Sequence, residues 1–130
     1  MCVFCEPDKN LIARESAWCY LIANFFPLGN LISLLAIPKR HITSIADLTI
    51  EEMSDLMQLI TTATKKIKED INPEGINILI NEGKIAGQTV SHLHVHIVAR
   101  EENDGLENFK CNKERHRITE KQLSFVKKLF

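Results

Sequence analysis

The stretch VSHLHVHIVA, residues 90–99, constrains this chain more than any other, because its apolar residues alternate with histidines. A period of two marks an extended strand, whose successive side chains point to opposite faces. His92, His94 and His96 then share one face, and Leu93, Val95 and Ile97 share the other. Histidines two residues apart stand about 6–7 Å from one another at the backbone. The aliphatic face asks for a covering helix, which leaves the imidazole face to meet a ligand. Three core histidines satisfied by hydrogen bonds are a poorer alternative, since rings side by side need too many buried partners. A metal-binding strand can also use this spacing.

The remaining segments supply a sheet for that strand and helices to cover it. "LIAR" (11–14), "AWCYLIAN" (17–24) and "LISLLAIP" (31–38) are short apolar runs separated by the turn-like "ES" and "FPLGN", and they predict a three-stranded meander. Thr49 followed by Glu52 forms a capping box, and Met53, Leu56, Met57, Ile60 and Ile67 recur on one helical face. "NPEG" (72–75) ends that helix, and "INILIN" (76–81) is the next strand. A glycine-containing loop leads into the histidine strand. After a polar stretch, Thr119 and Gln122 make a second capping box before a short helix with Leu123, Val126, Leu129 and Phe130 apolar. The expected class is α+β: a five-stranded antiparallel sheet, meander plus hairpin, with one long and one short C-terminal helix packed on it. No repeat, low-complexity tract or linker interrupts it, so residues 1–130 are expected to form a single domain.

Charge and cysteine usage narrow the function classes. Sixteen Lys and Arg against 17 Asp and Glu give a formal charge of −1, which argues against a nucleic-acid binder or membrane-surface protein working by bulk charge. The locally basic end (Lys110, Lys113, Arg115, Arg117, Lys121, Lys127, Lys128) is interspersed with Glu and reads as a solvated surface. No apolar run approaches the roughly 20 residues of a membrane span. Met1 is followed at once by Cys2, without a basic segment and apolar core, so no leader is expected and a cytoplasmic location is. Free thiols are then expected. Cys2-x-x-Cys5 taken alone is ambiguous between zinc, redox work and nothing, Cys19 reads as a small core residue, and Cys111 falls in a loop.

The loop before the histidines sharpens the choice among their uses. "NEGKIAGQTV" (81–90) supplies Gly83 and Gly87, carboxamides at Asn81 and Gln88, and the Thr89 hydroxyl. Glycines let backbone N–H groups approach a phosphate, and neutral donors hold it without quenching its electrophilicity. Alone this is an ordinary hairpin loop. Followed by three histidines, it reads as an anion cradle beside a nucleophile.

The block "NEGKIAGQTVSHLHVHIVAR" resembles the signature of the histidine triad (HIT) superfamily, His-φ-His-φ-His-φ-φ with φ apolar, including its Asn-x-Gly…Gly-Gln-x-Val lead-in. "LLAIPKRH" resembles the family's aliphatic–Ile-Pro-Lys-x-His stretch, and the likeness runs from "CVFC" to about Arg100, leaving residues 101–130 as an extension. That resemblance implies nucleotidyl transfer or hydrolysis of a nucleoside phosphoramidate, dinucleoside polyphosphate or related AMP conjugate. His94 would attack the α-phosphorus to give a nucleotidyl-histidine. His96 would assist the leaving group. The backbone around His92 would fix the His94 ring, Gln88 and Thr89 would contact phosphate or the leaving side, and Asn24, Asn81 and Gly87 would complete the nucleotide site. No metal is required for the chemistry. In a zinc-containing subset, which includes many bacterial members and related hexose-phosphate uridylyltransferases, a similar Cys pair joins two histidines. The resemblance therefore implies a structural zinc site of Cys2, Cys5, His41 and His92. It also implies a homodimer.

The sequence departs from the family pattern in several places. Asn24 stands where many members carry a ribose-binding Asp, and the following loop is one residue longer. Ser33 replaces a helper histidine, and Ala99-Arg100 replaces Pro-Arg. Trp18 and Phe25 or Phe26 are candidates for a base pocket and equally for the core. Two competing functions remain: a weakly active nucleotide-binding or interaction module, and a catalytic metal centre on the three histidines. The second is disfavoured because no carboxylate accompanies them and the cradle would be idle.

Overall fold

The structure, a computed structural model, describes residues 2–107, 110–111 and 116–130. Lys113 and Arg115 of the basic stretch lie outside the described residues. Strands β1 (Ile12–Glu15), β2 (Cys19–Ala23) and β3 (Ser33–Pro38) form the expected meander, followed by helix α1 (Ile50–Asp70) and strands β4 (Gly75–Ile80) and β5 (Val95–Arg100). The sheet order is β1-β2-β3-β5-β4, with every pairing antiparallel, so β5 is central and the β4–β5 hairpin docks against the meander through β3. A short ribbon, β6 (Leu106–Glu107) with β7 (Lys110–Cys111), was not expected and takes Cys111 out of the loop assigned to it. Helix α2 (Glu120–Leu129) closes the chain.

Both helices begin as their sequences require. Thr49 Oγ1 accepts from the Glu52 N–H at 3.1 Å while Glu52 Oε1 accepts from the Thr49 N–H at 2.9 Å. Thr119 and Gln122 repeat the exchange at 3.1 and 2.8 Å. The buried stripe of α1 differs from the expected one. It runs through Glu52, Leu56, Leu59, Ile60, Ala63 and Ile67, whereas Met53 and Met57 are 46% and 61% exposed. The helix is rotated so that a carboxylate begins the stripe, because Glu52 has a partner there. Arg40 Nε and Nη2 donate to it at 3.1 and 2.8 Å, and this pairing, with the Thr49 cap, holds its carboxyl down at about 2.

The period of two sorts β5 between two environments. Val95, Ile97 and Ala99 join the main core with α1 residues such as Leu56 and Ile60 and with Val126 and Leu129 of α2. Val98, on the histidine side, packs with Leu28 and Leu106 in a smaller cluster. The strand ladder, however, begins at Val95 and not at Val90. Val95 pairs with both Ala36 and Ile80, the first rung of its ladder on either side, and the Leu93 N–H instead donates to the Ile42 carbonyl. Of the three histidines only His96 lies within the sheet, so His92 and His94 sit where the chain leaves it.

Candidate active site and metal centre

The position of His94 follows from this departure. Its ring is 5% exposed, and its Nδ1 lies 2.7 Å from the His92 carbonyl, close enough for an Nδ1–H donor. Donation there fixes the tautomer with Nε2 as the atom carrying the lone pair. Burial pushes the His94 pKa below its ordinary value, only partly countered by the bond to His92, so the ring is neutral near pH 7. The His96 ring stands edge-on to it, with centroids 5.1 Å apart. His96 pairs across the sheet with Leu35 and Leu79, which makes an apolar bed on either side of it.

These rings open onto a cavity of about 1010 Å³, the upper end of the range for small-molecule sites. One wall is the loop at 81–90, contributing Asn81, Gly87 and Thr89; another is the β2–β3 turn, contributing Asn24, Phe25 and Phe26. Gly87 takes φ +100°, a conformation that favours glycine, and a Cβ there would stand 3.2 Å from the Asn81 carboxamide nitrogen, a tight contact. Gln88 is turned differently. Its Oε1 accepts from the Gly83 N–H at 2.8 Å, its Nε2 is buried without a hydrogen-bond partner among the described residues, and it does not line the cavity. Asn24 lines the cavity but is largely engaged in the turn, with Oδ1 accepting from Phe26 N–H at 3.1 Å and Nδ2 donating to Ser33 Oγ at 3.2 Å. Trp18 is half exposed and stands away from the cavity, whereas Phe25 and Phe26 line it, so the aromatic candidates divide.

Cys2, Cys5, His41 and His92 converge: one ligand atom from each lies within 4.8 Å of all the others. Cys2 Sγ is 3.4 Å from His92 Nδ1, Cys5 Sγ is 3.6 Å from the same nitrogen, and Cys5 Sγ is 3.2 Å from His41 Nδ1. A tetrahedral zinc with bonds of about 2.3 Å to sulfur and about 2.0–2.1 Å to nitrogen places mixed ligand atoms about 3.6 Å apart. The set fits that geometry. His92 Nε2 is 2.8 Å from the Pro38 carbonyl, so its proton belongs there and Nδ1 keeps a lone pair aimed at the thiols. His92 thereby serves two neighbours, with its ring in the cysteine cluster and its carbonyl on His94.

The HIT domain family model matches residues 7–103. The chain belongs to the HIT family. Among curated relatives, this HIT chain is 38% identical over 106 residues to a bis(5'-adenosyl)-triphosphatase of Dictyostelium discoideum, covering 75% of this chain and 70% of that one. It is 31% identical over 109 residues to an adenosine 5'-monophosphoramidase of Candida albicans, covering 78% and 71%. The solved structure of a Zn-bound histidine triad family protein from Mycobacterium smegmatis superposes with a TM-score of 0.76 at 26% identity, covering 98% of this chain and 91% of that one.

Sequence reasoning missed two residues of the site. Phe4, between the two cysteines, is buried edge-on to His94 with centroids 5.1 Å apart and lines the cavity. Arg117 also lines it, from beyond the family match. Phe4 had a signal of a kind, a large aromatic inside a chelating knuckle; Arg117 looked like any other charge in a mixed tail.

Proposed function

We propose that this chain is a nucleotide hydrolase or nucleotidyl transferase that cleaves at the α-phosphate through a covalent intermediate on His94. The single observation that carries the reading is the buried His94 ring with Nδ1 2.7 Å from the His92 carbonyl, which commits that nitrogen as donor and leaves Nε2 free to attack from the cavity wall. In the first step the Nε2 lone pair forms a bond to phosphorus and the P–O or P–N bond to the leaving group breaks. The leaving oxygen or nitrogen takes a proton from His96. In the second step water, or another acceptor, attacks phosphorus, the P–Nε2 bond breaks, and the acceptor's proton returns to His96. The nucleoside monophosphate leaves and both rings regain their starting states.

Asn81, Gly87 and Thr89 cradle the phosphate, with Gln88 holding the loop from behind, and Asn24 meets the ribose with the N–H it retains. Phe25 and Phe26 supply apolar surface for a base. The substrate is a dinucleoside polyphosphate, a nucleoside phosphoramidate or a related AMP conjugate; relatives named as a bis(5'-adenosyl)-triphosphatase and an adenosine 5'-monophosphoramidase support the first two. Zinc held by Cys2, Cys5, His41 and His92 would tie the N-terminal knuckle to the loop after β3 and to the backbone that orients His94. By family analogy the protein works as a cytoplasmic homodimer on a small nucleotide, without nucleic acid or membrane as partner; among the described residues no helix is long and apolar enough to cross a membrane. A weakly active binding module is the second reading, favoured by the Asn24 side chain being drawn into the turn with Ser33.

The test is to incubate the protein with a labelled dinucleoside polyphosphate and with an adenosine phosphoramidate, then quench in base. Label on His94, with turnover falling by more than about 1,000-fold in His94→Ala, is the expected result. Turnover that survives the substitution sinks the covalent mechanism, and tight binding without turnover selects the binding module.

A further inference from the structure

The segment leading into α2 adds a side chain to a wall that otherwise belongs to the sheet. Arg117 lines the cavity from outside residues 7–103 matched by the family model, and its guanidinium carbon stands 5.2 Å from the centroid of the Phe25 ring. That is within the range of a cation over an aromatic face. Phe25 and the half-exposed Phe26 come from the β2–β3 turn, whereas the 81–90 loop and the histidines supply other parts of the lining. Arg117 is thus set among the rings proposed to meet a base, and not among the groups proposed to meet phosphate. No carboxylate pairs with it among the described residues.

The backbone holds it there. The next residue, Ile118, donates its N–H to the Phe25 carbonyl at 2.7 Å and packs against the core. Thr119 then caps α2, and Val126 and Leu129 of that helix are buried in the main cluster. The Arg117 side chain itself stays exposed. A guanidinium is planar and weakly hydrated and stacks on ring faces, whereas an ammonium has no face to offer. With Phe25 beside it, a long side chain becomes a held surface, so less rotamer freedom remains to be lost when a ligand's ring is laid on it. Nucleobases stack on guanidinium planes as they do on aromatic rings. Ribose and phosphate have no flat face for that contact.

We propose that Arg117 is a base-binding residue: its guanidinium, supported by Phe25, is a surface on which the nucleobase stacks, and its flat shape matters there more than its charge. The proposal rests on the cavity being the nucleotide site. It is tested by calorimetric binding of AMP and of ribose 5-phosphate, which carries the same phosphate without the base, to the full-length protein, to Arg117→Ala and to Arg117→Lys. The wild type should bind AMP at least about ten-fold more tightly than ribose 5-phosphate. Arg117→Ala should weaken AMP by about ten-fold and ribose 5-phosphate by no more than about two-fold. Arg117→Lys, which keeps the charge and loses the plane, should recover less than about half of the lost AMP binding energy. Equal loss for both ligands, or a larger recovery in Arg117→Lys, would show that charge acts and overturns the proposal. No loss for either ligand reduces Arg117 to packing on Phe25. A wild type that binds AMP no more tightly than ribose 5-phosphate sinks the proposal without any variant and leaves the phosphate cradle standing. One that binds neither ligand fails the reading of the cavity itself.

Discussion

The His92 carbonyl, 2.7 Å from His94 Nδ1, turns an otherwise symmetric imidazole into a ring with one committed and one reactive nitrogen. The histidine spacing was legible from the sequence because a period of two needs no tertiary information. The tautomer was not, since it depends on how the backbone bends as it leaves the sheet. Gly87 is the other residue whose role is set by backbone geometry, with φ +100° and the Asn81 carboxamide 3.2 Å from where a Cβ would stand. Gly87→Ala should cost about 1–2 kcal/mol of stability, because both strain and contact oppose it. Urea unfolding should show a lowered midpoint at unchanged slope, and nucleotide affinity should fall as the loop shifts. An unchanged midpoint would mean that the loop relaxes freely and that the glycine is dispensable.

Elements were read more easily than their edges. The five strands and two helices follow from periodicity and capping boxes. The β5 ladder starts at Val95, where β4 ends opposite it at Ile80 while β3 runs on to Pro38 paired with β2 alone, a fact of pairing that no single segment carries. The α1 stripe was misplaced for a similar reason: Glu52 is buried only because Arg40, twelve residues earlier, reaches it. The N-terminal knuckle is the element whose order should depend most on metal. Its thiols would sit close to two imidazoles, and Phe4 between them leans on His94. Cys5→Ser should lower bound zinc well below one per chain by metal analysis, and chelation of the wild type should lower its melting temperature and increase proteolysis near the N-terminus. A full zinc complement in Cys5→Ser would remove Cys5 from the ligand set.

At the scale of the whole molecule, two buried carboxylates add polar clamps to segments that also share apolar clusters. Glu52 ties α1 to Arg40 in the loop after β3, and Asp104 ties the chain beyond β5 back to Arg100, with Arg100 Nε donating to Asp104 Oδ2 at 2.6 Å and Arg100 Nη1 reaching Asn77 on β4 at 2.7 Å. Arg100 holds the Asp104 carboxyl at about 2, with further help from the backbone N–H groups of Glu101 and Leu106. Arg40 does the same for Glu52, also at about 2. Both folded values lie below those of the unfolded chain, so the sign is that of a depressed acid: the stabilisation is complete above the unfolded pKa near 4 and is lost as pH falls toward 2. Each clamp should contribute about 1–2 kcal/mol, since the Arg40 side chain is half exposed and solvent screens part of its pair. Urea unfolding at fixed pH steps should therefore show a stability plateau above about pH 5 and a steep fall between about pH 4 and 2. Asp104→Asn should lower the plateau and flatten that fall, because the substituted amide keeps the shape but titrates no proton. A variant whose acid limb matches the wild type would show that Asp104 is not what the acid breaks.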